Sequence, residues 1–81
     1  MVAPSNRDCA ETVERVLLRA VLRWLAGHQP GQVARIEVAL PHEILPRVWH
    51  VHARLSSGAP YHFVVFMPTN GVGLCTRVRR L

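Results

Sequence analysis

Apolar residues recur every three or four positions from about residue 8 to residue 26, which predicts one amphipathic helix. Its apolar side consists of Ala10, Val13, Val16, Leu17, Ala20, Val21, Trp24 and Leu25. The opposite side carries arginines at four-residue spacing: Arg15, Arg19 and Arg23. Asp8 and Glu11 have the spacing of a capping box, with Ser5 as an alternative N-cap. Gly27 is the expected C′ residue that ends the helix.

The rest of the chain alternates apolar and polar residues, which predicts four strands over about residues 32–40, 47–55, 61–67 and 72–79. All six prolines fall between the predicted elements. Because proline lacks a backbone N–H donor and has a fixed φ, this placement indicates the connections between secondary-structure elements. The apolar positions of the first three strands that are expected to supply the core are Ala34, Ile36, Val38, Leu40, Val48, Trp49, Val51, Ala53, Leu55, Tyr61, Phe63, Val65 and Met67. Ile44 and Leu45, between the first two strands, are expected to close one end of the core.

Residues 68–71 predict a tight turn between the last two strands. If Met67 faces Val72 across this turn, the same register pairs Val65 with Leu74, Phe63 with Thr76 and Tyr61 with Val78. These pairs would share the face that packs on the helix. Cys75 would then lie opposite Val64 on the other face, and no disulfide with Cys9 of the helix is expected.

These elements predict one α+β domain over residues 1–81, with an N-terminal helix packed on a four-stranded antiparallel meander sheet. The order α-β-β-β-β resembles the chain order of cystatin-like folds, in which a curved sheet wraps one helix. That resemblance concerns topology alone. A double-stranded-RNA-binding domain also begins α-β-β-β, but it needs a second helix where residues 72–78 alternate as a strand.

The composition is that of a folded protein, with 49% hydrophobic and 19% charged residues. The net charge is +5, and all ten basic residues are arginine. Coding bias in a GC-rich genome explains this excess, and the alternative is selection for a planar fork that binds phosphate or carboxylate. The two cysteines form no zinc or disulfide framework, and no signal peptide or membrane span is recognisable. A cytoplasmic protein without a membrane partner is expected.

The face of the sheet that the helix leaves bare is the expected functional surface. Its apolar strip is predicted to consist of Val64, Phe66, Gly73 and Cys75. An 81-residue chain buries a small core, and exposed apolar neighbours are typical of an interaction site. We therefore expect a small non-enzymatic interaction module that forms a homo-oligomer or docks a protein partner through this strip. Single exposed apolar residues are also common on any protein surface.

Nucleic-acid binding is the alternative function. The candidate phosphate-binding residues are Arg35, Arg54, Arg77, Arg79 and Arg80. Together with Phe66 and the histidines they resemble the mixture of charge and stacking found in single-strand binders. The same arginines also serve solubility and protect an edge strand from aggregation.

One metal-like spacing is present, in which His50 and His52 point to the same side of a strand and His62 follows on the next strand. Surface histidines on strands are more often unliganded, so no metal and no cofactor are expected. Cys75 and His62 are diagonal neighbours in the predicted register, too far apart for a thiolate–imidazole pair. The sequence carries no P-loop, G-x-S-x-G or dinucleotide motif, and no enzymatic activity is predicted.

Overall fold

The structure, a computed structural model, describes residues 6–69 and 72–81, with side chains from Val13 onward. Its elements are α1 (Asn6–His28), β1 (Ala34–Pro41), β2 (Val48–Leu55), β3 (Pro60–Phe66) and β4 (Leu74–Arg80). The strands form one antiparallel sheet in the order β1-β2-β3-β4. Helix α1 packs on one face of this sheet. The predicted α+β class and the order α-β-β-β-β are confirmed.

Helix α1 is longer than predicted at both ends. It includes Gly27, so the prediction that Gly27 stands outside the helix as its C′ residue is wrong. The His28 ring stabilises the last turn of the helix. Its Nδ1 donates to the Trp24 carbonyl at 2.8 Å, and the ring stacks on the Trp24 indole with centroids 4.1 Å apart. Gly31, with φ at +91°, makes the turn into the sheet. The predicted N-cap side chains and the turn residues Asn70 and Gly71 lie outside the described part.

The core lies between α1 and the inner face of the sheet. Its buried side chains, among those described, are Leu17, Ala20, Val21, Leu25, Val51, Ala53, Leu55, Phe63 and Val65. Phe63 lies at its centre with no exposed surface. Its ring meets the edge of Trp24 at 5.7 Å and stacks with Tyr61 at 5.9 Å. The helical and strand periodicities of the sequence therefore predicted the central part of the core correctly.

Strand β1 departs from simple alternation at a bulge. Ile36 pairs with Ala53 and Val38 pairs with His52, which leaves Glu37 as an extra residue. One extra residue moves every following side chain to the opposite face. Val38 and Leu40 therefore point away from the helix. The prediction that they face the core is wrong beyond the bulge.

A second bulge changes the register of β4. Val64 pairs with Arg77 and Val65 pairs with Cys75, so Thr76 is the extra residue. The Thr76 hydroxyl donates to the Val64 carbonyl at 3.2 Å. The predicted pairs are wrong, since the actual partners of Phe63, Tyr61 and Phe66 are Val78, Arg80 and Leu74. Cys75 consequently faces the helix, contrary to the prediction.

Gly73 also lies on the helix side and is buried, so its predicted place in the outward apolar strip is wrong. A Cβ at this position would lie 3.2 Å from the Ala20 Cβ and 3.3 Å from the Val65 Cγ1. The Arg23 side chain donates a hydrogen bond to the Gly73 carbonyl at 3.0 Å, which holds the start of β4 close to the helix. Glycine suits this position because a Cβ would crowd the side chains of Ala20 and Val65, which would have to shift by a few tenths of an ångström.

The β1–β2 connection does not close the core. Ile44 and Leu45 are 84% and 53% exposed, so the sequence-based expectation for them is wrong. His42 shapes this loop, because its Nδ1 accepts hydrogen bonds from the amides of Ile44 and Leu45 at 3.0 Å each. In the part of the chain that is described, no helix has the length and apolar character to cross a bilayer.

Candidate functional site

We use the term outer face for the side of the sheet turned away from α1. Cross-strand pairing arranges its side chains in four rows. The first row holds Val48, Phe66 and Leu74, the second Leu40, His50, Val64 and Arg77, the third Val38, His52, His62 and Arg79, and the fourth Arg35, Arg54 and Pro60. An apolar end, a central group of histidines and a basic edge thus share one surface.

The apolar side chains of the outer face are open to solvent. Val38, Leu40 and Leu74 are 45%, 55% and 54% exposed. Val64 and Phe66, predicted for this face, do lie on it and are half-buried. No element within residues 6–69 and 72–81 covers these side chains, since α1 packs on the inner face. A contiguous apolar surface with a polar rim is typical of an interaction site.

Four histidines form a continuous stack across the outer face. The ring centroids are 5.1 Å apart for His42 and His50, 5.2 Å for His50 and His62, and 4.9 Å for His52 and His62. The predicted group of His50, His52 and His62 is therefore brought together. His42 is a member that the sequence analysis did not include.

A short hydrogen bond links two members of this stack, with His50 Nδ1 and His62 Nε2 3.0 Å apart. One of the two nitrogens must accept, so both rings cannot be fully protonated in this geometry. Desolvation lowers the pKa of His62, and the charges of His52, His50, Arg79 and Arg77 lower it further. His62 is therefore neutral at pH 7 and keeps a nitrogen available for the bond.

Glu43 supplies the negative charge beside the stack. Its Oε2 lies 3.8 Å from His42 Nδ1 and 3.6 Å from His50 Nε2. A hydrogen bond from its own backbone lowers the pKa of Glu43, and the charges of the two histidines act in the same direction against desolvation. The carboxylate is 74% exposed and ionised at neutral pH. His42, Glu43 and His50 each offer a ligand atom, and these atoms lie within 4.8 Å of one another.

The arginines predicted for nucleic-acid binding divide into two groups. Arg54 donates to Glu37 at 3.0 Å and to the Gly58 carbonyl at 2.9 Å. Arg35 lies 3.9 Å from the same Glu37 carboxylate. These two cations are therefore compensated by an acidic neighbour.

The second group lies on β4. The guanidinium groups of Arg77 and Arg79 form neither a hydrogen bond nor an ion pair with any residue that the structure describes, although the backbone of both residues pairs with β3. They border a shallow groove of about 370 Å³ that is lined by His50, His62, Val64, Arg77, Val78 and Arg79. Arg80 pairs with Tyr61 and belongs to the other face by alternation, so the five predicted arginines do not form one patch. Arg77 and Arg79 are the uncompensated cations of the outer face.

Cys75 has no catalytic surroundings. Its thiol donates to the Ala20 carbonyl at 3.4 Å beneath the helix. Burial raises the pKa of the Cys75 thiol to about 11, although Arg23 opposes the shift. The reactive thiolate is therefore scarce at neutral pH.

We expect iodoacetamide at pH 8 to alkylate Cys75 at least about 10-fold more slowly in the native protein than in urea. Peptide mass spectrometry that follows the Cys75 peptide measures both rates. Because the folded-state pKa is raised, the thiol favours the folded state at neutral pH. This contribution is lost as pH rises from 9.0 to about 11. Equal rates in the two states would contradict the inward position.

The sequence missed Val38, Leu40, Leu74, His42 and Glu43 as members or neighbours of the outer face. The first three were assigned to the core because neither bulge has a clear sequence signal. His42 and Glu43 were placed in a connection, and the stacking of His42 on His50 depends on how that loop folds back. Comparison of the chain with models of known protein families, with curated proteins and with solved structures found no match.

Proposed function

We propose that this chain is a small non-enzymatic interaction module that self-associates by packing its outer face on the outer face of a second copy. The exposure of Leu40 and Leu74, each more than half open on a sheet face that no described element covers, carries this proposal. Antiparallel sheets often have one wet face, but that face is normally polar. Here large apolar side chains occur in the first three of its four rows.

The distribution of charge favours a second copy over an unrelated protein. The uncompensated Arg77 and Arg79 lie on β4, whereas Glu43, whose carboxylate contacts histidines and no arginine among the described residues, lies in the loop that follows β1. A two-fold axis parallel to the strands places β4 of one copy over β1 of the other. The β4 arginines of each copy then approach the Glu43 carboxylate of the other copy, and the apolar side chains of the two outer faces meet each other. Aligned sheets about 10 Å apart accommodate this arrangement.

We expect the native protein to change from monomer to dimer as its concentration rises from about 1 μM to about 1 mM in sedimentation equilibrium. Leu40→Arg, which places a charge among the apolar side chains at the β1 edge of the outer face, should weaken this association at least about 10-fold. The side chain is 55% exposed in the isolated chain, so the substitution leaves the core intact.

Ala26→Arg is the matched control, because it adds the same charge on an exposed position of α1. This variant should dimerise like the native chain. A monomer mass at the highest concentration, or equal weakening by both substitutions, contradicts the proposed interface.

Nucleic-acid binding is the second candidate, and the unpaired Arg77 and Arg79 favour it. Their separation along β4, two residues or about 7 Å, suits contacts with adjacent phosphates. The compensation of Arg35 and Arg54 reduces the charge available to a nucleic acid. If this candidate holds, a single-stranded oligonucleotide is retained at low salt and released as salt rises, and Arg77→Gln weakens retention. No retention at low salt excludes it.

A further inference from the structure

We propose that His42, Glu43 and His50 form a binding site for a divalent transition-metal ion of the zinc class. Two imidazoles and one carboxylate are a ligand set that suits zinc, cobalt or nickel better than magnesium or calcium. The site shares His50 with the second row of the outer face, and it does not require that face to self-associate.

The spacing of the ligand atoms is close to that of a tetrahedral site. The Nδ1 of His42 and the Nε2 of His50 approach the same Glu43 Oε2, at 3.8 and 3.6 Å. Ligand atoms about 2.0–2.2 Å from a tetrahedral ion lie about 3.4 Å apart. The two distances to Glu43 Oε2 therefore need to shorten by only a few tenths of an ångström, which Glu43 can provide because its side chain is largely exposed. The ligand nitrogens of His42 and His50 lie within 4.8 Å of each other.

The hydrogen bond of His50 already has the form found in metal sites. A metal on Nε2 leaves the proton on Nδ1, which then donates to His62 Nε2 at 3.0 Å. Histidine ligands almost always have their second ring nitrogen held in this manner, and the partner orients the ring. His62 is thus a positioning residue for His50.

The present contacts of His42 define what the metal must displace. Its Nδ1 lone pair accepts from the amides of Ile44 and Leu45. One lone pair cannot serve the amides and a metal together. Both amides belong to exposed residues, so water can replace the imidazole as their acceptor. Metal binding is therefore coupled to release of the β1–β2 loop, and this coupling supplies a readout that adventitious surface binding lacks.

The test is a titration of the tag-free, chelator-treated full chain with Zn²⁺ by calorimetry and with Co²⁺ by visible absorption. We expect one ion per chain, a tetrahedral cobalt spectrum and faster amide exchange at Ile44 and Leu45 after binding. His50→Ala and Glu43→Gln should each lose at least about 10-fold in affinity, and His62→Gln about 10- to 100-fold. Glu43→Gln preserves the size of an exposed side chain, so its effect is separate from folding.

His52→Ala is the matched control, because His52 belongs to the same strand, face and stack but offers no ligand atom to the site. Its affinity should stay within about 3-fold of the native value, the range of an ordinary context effect. Three results would overturn the proposal: no binding by the native chain, an equal loss in His52→Ala, or native affinity in both His50→Ala and Glu43→Gln.

Discussion

Phe63→Ala should lower the free energy of unfolding by about 3–5 kcal/mol, a large part of the total. Phe63 has no exposed surface, and its ring contacts Trp24 of the helix and Tyr61 of the same strand. Truncating such a residue to alanine costs about 3–5 kcal/mol, because transfer energy is lost and a cavity remains. A chain of this length has a total free energy of unfolding of about 4–12 kcal/mol. Urea unfolding followed by tryptophan fluorescence measures the change.

Val64→Ala is the matched control for that experiment, since Val64 follows Phe63 directly and points to the outer face. It should lower the free energy of unfolding by no more than about 1 kcal/mol. All unfolding experiments should use a protein concentration at which the chain is monomeric, because self-association would add to the apparent stability and substitutions on the outer face would change it. Equal losses from the two substitutions would mean that β3 does not alternate between core and surface as described.

A pair of arginine substitutions at adjacent positions of β4 should differ sharply in stability. Leu74→Arg should change the free energy of unfolding by no more than about 0.5 kcal/mol, because the side chain lies on the outer face. Cys75→Arg should cost about 2–4 kcal/mol, since it forces a charge beneath the helix beside the Ala20 carbonyl. Arg23 lies close enough to repel the new cation.

Cys75→Ser is the control for this pair, because serine keeps a donor for the same carbonyl and adds no volume or charge. The register expected from simple alternation predicts the reverse order, with Leu74→Arg the damaging change. The two variants therefore decide directly whether β4 carries the bulge at Thr76. A larger loss from Leu74→Arg than from Cys75→Arg would restore the simpler register and return Cys75 to the outer face.

The apolar periodicities predicted the helix, the four strands and the order of elements. They succeeded because each local pattern agrees with the fold: Leu17, Val21 and Leu25 repeat at helical spacing, and Phe63 and Val65 repeat at strand spacing. A buried position needs an apolar residue whatever its neighbours are. The central core was therefore predictable residue by residue.

The candidate surface was less predictable, because it depends on which face of the sheet each strand residue occupies. That assignment is not a local property of the sequence. Val64 and Phe66 were placed correctly, since β3 pairs with β2 without interruption. Gly73 and Cys75 were placed on the wrong face, and Leu74 was taken for a core residue. A single extra residue reverses the direction of every side chain on one side of a bulge. The sequence offers apolar residues on both sides of Thr76, so both registers satisfy the pattern.

By itself the sequence determined that one amphipathic helix covers a four-stranded sheet and that the other face carries histidines and arginines. Only the tertiary structure decided which apolar side chains join them, because the bulges at Glu37 and Thr76 arise from pairing between strands. It also decided that His42 and Glu43 meet His50, since a folded-back loop brings these groups together. Periodicity reports burial along one element, whereas contacts between elements depend on register and loop geometry.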